Sequence, residues 1–511
     1  MEFQSILFGS QKTELVKDTP EFFHDLQLDY LLEKLVEPVK DYEVSSYFYS
    51  FPGSVEAILY RQQVGKDMES EDLCFILRQF CRRMRESRKM YRLSLESQGE
   101  VASATYHLQA VNLYREAVLL LRQDVRRQCG KFISEGMRSF ALYIEKEAER
   151  VEEAGFAGAL MQANRFFSEL CFNLVLEPDR ITVAEKKEED APKNYFEDLA
   201  KLLGQEPEAA YSAMTGIFPD PLETSHLEHL IVGILQKSRP QVFEEIKAFK
   251  KKFPEIYPEV LLEFEKEIQF YLCFRKFKED TFGLGYPMCV PEVGSQNFSG
   301  GEVYDLALVW KQSEKDYNVV SNDFSMKDTP SFFVVTGPNQ GGKTTFARSL
   351  GQAVYFALMG LPVNAECFSM PMLDGISTHF EAEEKLQSNS GKLKEEINRL
   401  APMMSQTENQ NHFVILNELF TTATTHDAML MGRKVMESFL KRECYGIYVT
   451  HIQELAEETE QIISLVAQME PGEETRRTYR MLPMKAQGYG YSDALVKKFN
   501  LQYEDIVRRL S

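Results

Sequence analysis

Gly337-Pro338-Asn339-Gln340-Gly341-Gly342-Lys343-Thr344 sets glycines, a lysine and a hydroxyl at the spacing G-x-x-x-x-G-K-S/T. Glycines let the backbone turn tightly enough for successive N–H groups to face one point, and a helix opening there adds the positive end of its dipole. That is chemistry for phosphate. Lys343 is expected to reach the β- and γ-phosphates of a nucleotide, and the Thr344 hydroxyl to sit on magnesium. The apolar run Ser331 to Val335 supplies the strand that must precede such a loop, so a glycine-rich turn with a chance lysine is a poor competitor. The expected ligands are ATP and Mg2+, with Gly337 through Thr345 as the binding residues.

Two further strand ends carry reactive side chains. Phe413-Val414-Ile415-Leu416 runs into Asn417-Glu418, and Gly446-Ile447-Tyr448-Val449 runs into Thr450-His451. Ligands of open parallel sheets gather at the carboxyl ends of the strands. A carboxylate at Glu418 can polarise an attacking water, and His451 can hydrogen-bond a phosphate, which makes these two the catalytic candidates. The competing reading makes Glu418 a neighbour of a helix N-cap and His451 an ordinary surface histidine.

The elements that must position these groups lie in two contrasting halves. From about Glu21 to Lys278 apolar residues recur at spacings of three and four, as in Leu73, Leu77, Phe80, Met84 and in Leu108, Val111, Tyr114, Val118, Leu121, Val125. A third helical stretch, Phe243 to Phe277, must break or bend at Pro254 and Pro258. Gly, Pro and Ser crowd residues 281–301, which reads as a linker. Beyond it short β-type runs alternate with helical patterns, implying a mainly parallel sheet covered by helices. The expected fold is therefore α + α/β: an all-helical region over 1–280, a linker over 281–301, and a nucleotide-binding domain over 302–511.

Bulk properties narrow the function classes. The net charge of −20 excludes a chain that coats nucleic acid or anionic membrane by overall charge. Eight scattered cysteines without a C-x-x-C pair suggest neither a zinc site nor a disulfide framework. No stretch approaches the ~18 apolar residues of a membrane span, so a cytoplasmic protein with no membrane partner is expected. Within this acidic chain one segment is basic: Arg78, Arg82, Arg85, Lys89 and Arg92 fall on one helical stripe. Such a stripe can contact DNA phosphates without reading bases, or it can be a solvated face paired with glutamates of neighbouring helices. Arg122, Arg126, Arg127 and Lys131 form a weaker second group.

Taken together, these residues resemble the MutS family. Thr336 to Thr345 (TGPNQGGKTT) is similar to that family's phosphate loop, Val320-Ser321-Asn322-Asp323 to its N-D motif, and Leu416 to Asp427 to its acidic strand end and threonine-rich loop. Val449-Thr450-His451 resembles its switch-histidine strand, and Gly488-Tyr489-Gly490 its S-Y-G segment. The resemblance covers roughly the last 200 residues in detail. It implies an ATPase of ABC-like design that works as a homodimeric DNA clamp in mismatch repair or related structure recognition, with repair proteins as possible partners. It also implies a composite site that borrows a serine from the partner subunit, for which Ser390 is the candidate. Three departures stand out. The family's metal-supporting aspartate is here Asn417, the aromatic residue two positions after the borrowed serine is Lys392, and a mismatch-reading wedge domain is not recognisable. The chain is expected to begin at the equivalent of the family's helical core and lever. A rival expectation is an ATP-gated scaffold or assembly protein, with slow or absent hydrolysis, that binds protein partners through its helical arms.

Overall fold

The computed structural model describes residues 3–9, 14–168, 172–177, 180–185, 233–312, 318–326, 329–380, 392–408, 410–470 and 473–486. The chain divides into two compact units. One takes Asp72–Lys131 and Ser139–Leu262, the other Phe3–Glu71, Phe132–Arg138 and Glu263–Ser511.

The first unit is built mainly on long helices, among them Glu71–Glu96, Glu100–Gln128 and Pro240–Lys252. The stripe from Leu108 to Val125 is buried at each of the six positions marked by its spacing. Tyr257 packs edge-on against Tyr91 and Tyr114, and shares a 2.7 Å hydrogen bond with the Ser87 hydroxyl. The third helical stretch does end and restart around its prolines, as Pro240–Lys252 and Glu259–Gly283. The region is not all-helical, however. Strands β1 (Phe172–Glu177) and β2 (Arg180–Glu185) form an antiparallel hairpin. Their runs FNLVLE and RITVAE are short and carry β-branched residues, a strand signal that the helical surroundings obscure.

Among the described residues the second unit holds two sheets. Strands β3 (Glu292–Val293), β4 (Phe298–Val303), β5 (Asn322–Met326) and β7 (Cys367–Met370) make a mixed sheet in the order β3-β7-β4-β5. The larger sheet uses β6 (Phe332–Thr336), β8 (Gly375–His379), β9 (His412–Asn417), β10 (Tyr445–Val449), β11 (Ile462–Glu470) and β12 (Glu473–Pro483), ordered β12-β11-β6-β10-β9-β8. Its pairings are parallel except for β11 with β12. Every residue of β6, β9 and β10 is buried, which is why these strands read as unbroken apolar runs rather than alternating ones. Helices Lys392–Gln406 and Thr425–Leu440 pack Leu400, Met403, Met436 and Phe439 onto the face carrying Val334, Val414 and Leu416. Helix Lys343–Leu358 brings Gly351 against Ile415, which points to the opposite face.

Two expected boundaries differ from the fold. Residues 281–301 are not merely a linker, because β3 and much of β4 lie there. Gly300 is a packing residue: a Cβ on it would come within 2.6 Å of the Phe324 ring and 2.8 Å of Val303. The second unit also reaches back to Phe3–Glu71. Phe23 and Phe48 are buried against Tyr355 and Phe270, the Tyr355 hydroxyl donates to the Phe48 carbonyl, and the Gln352 amide donates to Leu26. The aromatics near the start of the chain are thus core residues, joined by contacts too distant in sequence for local spacing to reveal.

Gly446 on β10 gives the packing a direct test. A Cβ there would sit 2.4 Å from the Phe332 ring and 2.6 Å from the Val414 carbonyl, with fixed strands on both sides. Gly446→Val is expected to destabilise the protein by about 3 kcal/mol, read from the midpoint of urea unfolding.

Candidate functional site

Strands β6, β10 and β9 deliver their carboxyl ends to one edge of the large sheet. The Thr450 N–H donates to the Val335 carbonyl at 3.1 Å and the Glu418 N–H to the Val449 carbonyl at 2.9 Å, so the three ends are tied directly to one another. Beyond β6 the chain turns through the glycine-rich loop into helix Lys343–Leu358, whose N-cap, Gly342, makes no side-chain capping bond. The first N–H groups of a helix have no intrahelical acceptor, so this end offers unsatisfied donors.

The loop requires its glycines. Gly337 and Gly342 have φ of 127° and 87°, a region favourable to glycine alone. A Cβ on Gly337 would meet Ala467 of β11 at 2.9 Å, and one on Gly341 would meet the Pro338 carbonyl at 2.9 Å. Inside the turn the Lys343 ammonium donates to the carbonyls of Gly337 and Pro338 at 3.1 and 3.0 Å. Burial pushes the Lys343 pKa down, and the Glu418 carboxylate pulls it back up. A compact anion seated among these N–H groups would find a preformed cradle with a buried cation at its centre.

The strand ends complete the site. Thr344 Oγ1 donates to Asn417 Oδ1 at 3.0 Å, and His451 Nε2 donates to Glu418 Oε1 at 3.0 Å. The His451 hydrogen bond holds the Glu418 carboxyl below its usual range, against the opposing effect of burial, with the Lys343 charge adding. Glu418 and Phe420 occupy left-handed backbone at φ of 54° and 60°, strain of the kind that accumulates at functional turns. A cavity of about 580 Å³ opens over the loop, lined by Asn339 to Phe346 and by Glu418, His451 and Tyr479. The phosphate-loop residues, Asn417, Glu418 and His451 are thus gathered at one edge. Among the described residues no group of three His, Cys, Asp or Glu side chains could hold a metal ion. A magnesium ion here would be supported by the Thr344 hydroxyl and the neutral Asn417 amide.

Sequence reasoning missed what closes the far side of the cavity. Asp305, 1% exposed, accepts from Arg348 at 2.6 Å and from Gln352 at 3.1 Å. The Asn322 amide donates to the Tyr479 carbonyl and accepts from the Met481 N–H, which fixes Tyr479 beside Gly342. Asn322 was visible as part of a motif, but its partners on β12 were not. Ser390 and Gly488 to Gly490 lie outside the described residues. On helix Glu71–Glu96 the five stripe residues Arg78, Arg82, Arg85, Lys89 and Arg92 are all exposed, and Arg82 pairs with Glu86 at 3.5 Å. In the weaker group Arg122 binds Glu152 and Arg126 binds Glu145, so those two are engaged by neighbouring carboxylates.

A buried lysine inside a glycine turn between strand and helix, with a carboxylate–histidine pair at the adjoining strand ends, thus stands at one edge of an α/β domain. Residues 333–488 match the family model of MutS domain V. The chain is 32% identical over 140 residues to the DNA mismatch repair protein MutS of Thermotoga maritima, covering 27% of this chain and 18% of that protein. It is 26% identical over 221 residues to the endonuclease MutS2 of Thermus thermophilus, covering 43% and 29%. Over 168 residues it is 27% identical to the MutS protein homolog him-14 of Caenorhabditis elegans, covering 33% and 19%. The matched stretch spans less than a third of each of these relatives. These matches place residues 333–488 with the MutS family. Among the described residues no helix is long and apolar enough to cross a membrane.

The Glu418–His451 contact is testable through pH. A carboxyl whose folded pKa is depressed contributes stability above its unfolded pKa and loses it as the pH falls through the folded value. Glu418→Gln should melt on the order of 2 °C below the parent at neutral pH, and the gap should close once the pH drops below the ordinary carboxylate range. The check is a series of thermal melts of both proteins across that window.

Proposed function

We propose that this chain is a nucleotide-dependent DNA-binding protein of the MutS type, an ATPase that works as a homodimeric clamp in mismatch repair or related recognition of DNA structure. The observation that carries the nucleotide assignment is Lys343 buried inside the glycine turn, beside Thr344–Asn417 and Glu418–His451. Lys343 and the loop N–H groups bind the phosphates. Magnesium, when bound, neutralises charge on the phosphate oxygens. The Thr344 hydroxyl and the Asn417 amide would hold it, the neutral amide more weakly than a carboxylate would. Glu418 accepts the proton of the attacking water, and His451 fixes the carboxylate until a phosphate competes for its N–H.

Support for DNA comes from the exposed stripe of Arg78, Arg82, Arg85, Lys89 and Arg92 and from the similarity to the DNA mismatch repair protein MutS of Thermotoga maritima. Contacts of this kind go to backbone phosphates, so binding is governed by shape rather than sequence. One observation favours a second function, an ATP-gated scaffold with slow or absent hydrolysis: the uncharged Asn417 at the position facing Thr344.

Two measurements test these assignments, the first the nucleotide site and the second DNA binding. Lys343→Ala removes the buried ammonium and is expected to weaken ATP binding at least a hundredfold by calorimetric titration; unchanged affinity would remove the nucleotide assignment. Changing both Arg82 and Arg85 to Glu should weaken DNA binding whatever the sequence, and flatten the slope of log affinity against log salt by roughly one unit per lost contact. ATP binding and helical circular dichroism should be retained. An unaltered slope in the folded double variant would favour the scaffold.

A further inference from the structure

Strand β12 does not run straight along β11. Ala467 pairs with Met481 but Met469 pairs with Arg477, so a two-residue step on β11 faces a four-residue step on β12. The surplus forms a bulge at Thr478 to Arg480. Tyr479 sits there at φ 60°, Thr478 Oγ1 donates to the Gln468 carbonyl at 3.0 Å, and the Asn322 amide secures the far side. Bulges re-aim the side chains beside them. This one turns Arg477 toward the glycine loop, where Nε donates to the Asn339 carbonyl at 3.2 Å while Nη1 lies 3.1 Å from the Met469 sulfur.

The peptide plane converts that contact into a constraint. In a trans peptide the C=O and the following N–H point in opposite directions. With the Asn339 carbonyl drawn to Arg477, the Gln340 N–H must point away from the guanidinium. Asn339 and Gln340 line the cavity and Arg477 does not. Gln340 is also held at φ 59°, a strained conformation for a residue with a side chain, which persists only where surrounding contacts enforce it.

We propose that Arg477 is a positioning residue of the phosphate loop: gripping the Asn339 carbonyl from outside the cavity, it keeps the Asn339–Gln340 peptide turned so that the Gln340 N–H serves a phosphate oxygen of a bound nucleoside triphosphate. This role rests on the nucleotide site proposed above. It belongs to a side chain outside the loop motif, placed by a bulge on an edge strand.

The test is calorimetric titration of ATP into the full chain and its variants, with thermal melts alongside. Arg477→Ala should bind ATP about tenfold more weakly, the scale of one charge-assisted hydrogen bond, with little change in melting temperature. Glycine takes the left-handed conformation without strain, so adding Gln340→Gly to Arg477→Ala should recover most of the lost affinity. Arg477→Lys, whose ammonium can donate to the same carbonyl, should stay within about threefold of the parent. Parent-like affinity in Arg477→Ala overturns the role, as does a loss that Gln340→Gly fails to restore. The two levels separate cleanly. A parent that does not bind ATP sinks the nucleotide site itself, whereas loss in Lys343→Ala without loss in Arg477→Ala sinks only the role of Arg477.

Discussion

The Lys343 ammonium is buried, and the surrounding structure follows from making that burial tolerable. An ammonium removed from water without compensation is costly, and here the compensation is local: two backbone carbonyls and the charge of Glu418. Bringing both carbonyls onto one nitrogen forces the chain into a turn with left-handed positions at Gly337 and Gly342. β11 lies close against the turn, where Ala467 leaves no room for a Cβ on Gly337. The strand order of the large sheet, with β6 between β11 and β10, is therefore part of the site.

The same constraint reaches the remaining candidates through short hydrogen bonds. Helix Lys343–Leu358 is fixed to β9 by Thr344 and Asn417, and β9 is fixed to β10 by the Glu418 N–H. His451 then lies within 3.0 Å of Glu418. Farther along the helix, Gln352 and Tyr355 are bonded to Leu26 and Phe48, so the segment Phe3–Glu71 supports the helix that carries the loop. A shift in that segment would be transmitted to the loop through a packed helix rather than through flexible chain.

The parts of this arrangement that sequence makes legible are those with local signatures. The loop announces itself by glycine spacing, and β6, β9 and β10 by apolar runs that full burial requires. Glu418 and His451 follow from standing at the ends of those runs. The rest depends on partners far away in the chain. Gly300 and Gly301 look like linker residues because local sequence does not show the Phe324 and Phe368 rings that pack against Gly300. Core packing is the ordinary expectation for Phe23 and Phe48, but their partners Tyr355 and Phe270 lie too far along the chain for local sequence to show. Arg477 has no motif at all: its contact with Asn339 exists only because the register of β12 slips against β11.

The central claim is that the N–H groups of residues 337–346 form a preformed phosphate cradle. Hydrogen–deuterium exchange on peptides covering that segment, with and without ATP and magnesium, tests it at the atoms concerned. Strong protection of these amides on addition of ATP, absent with adenosine, is the result the account predicts. Exchange in the loop that is indifferent to ATP would contradict it.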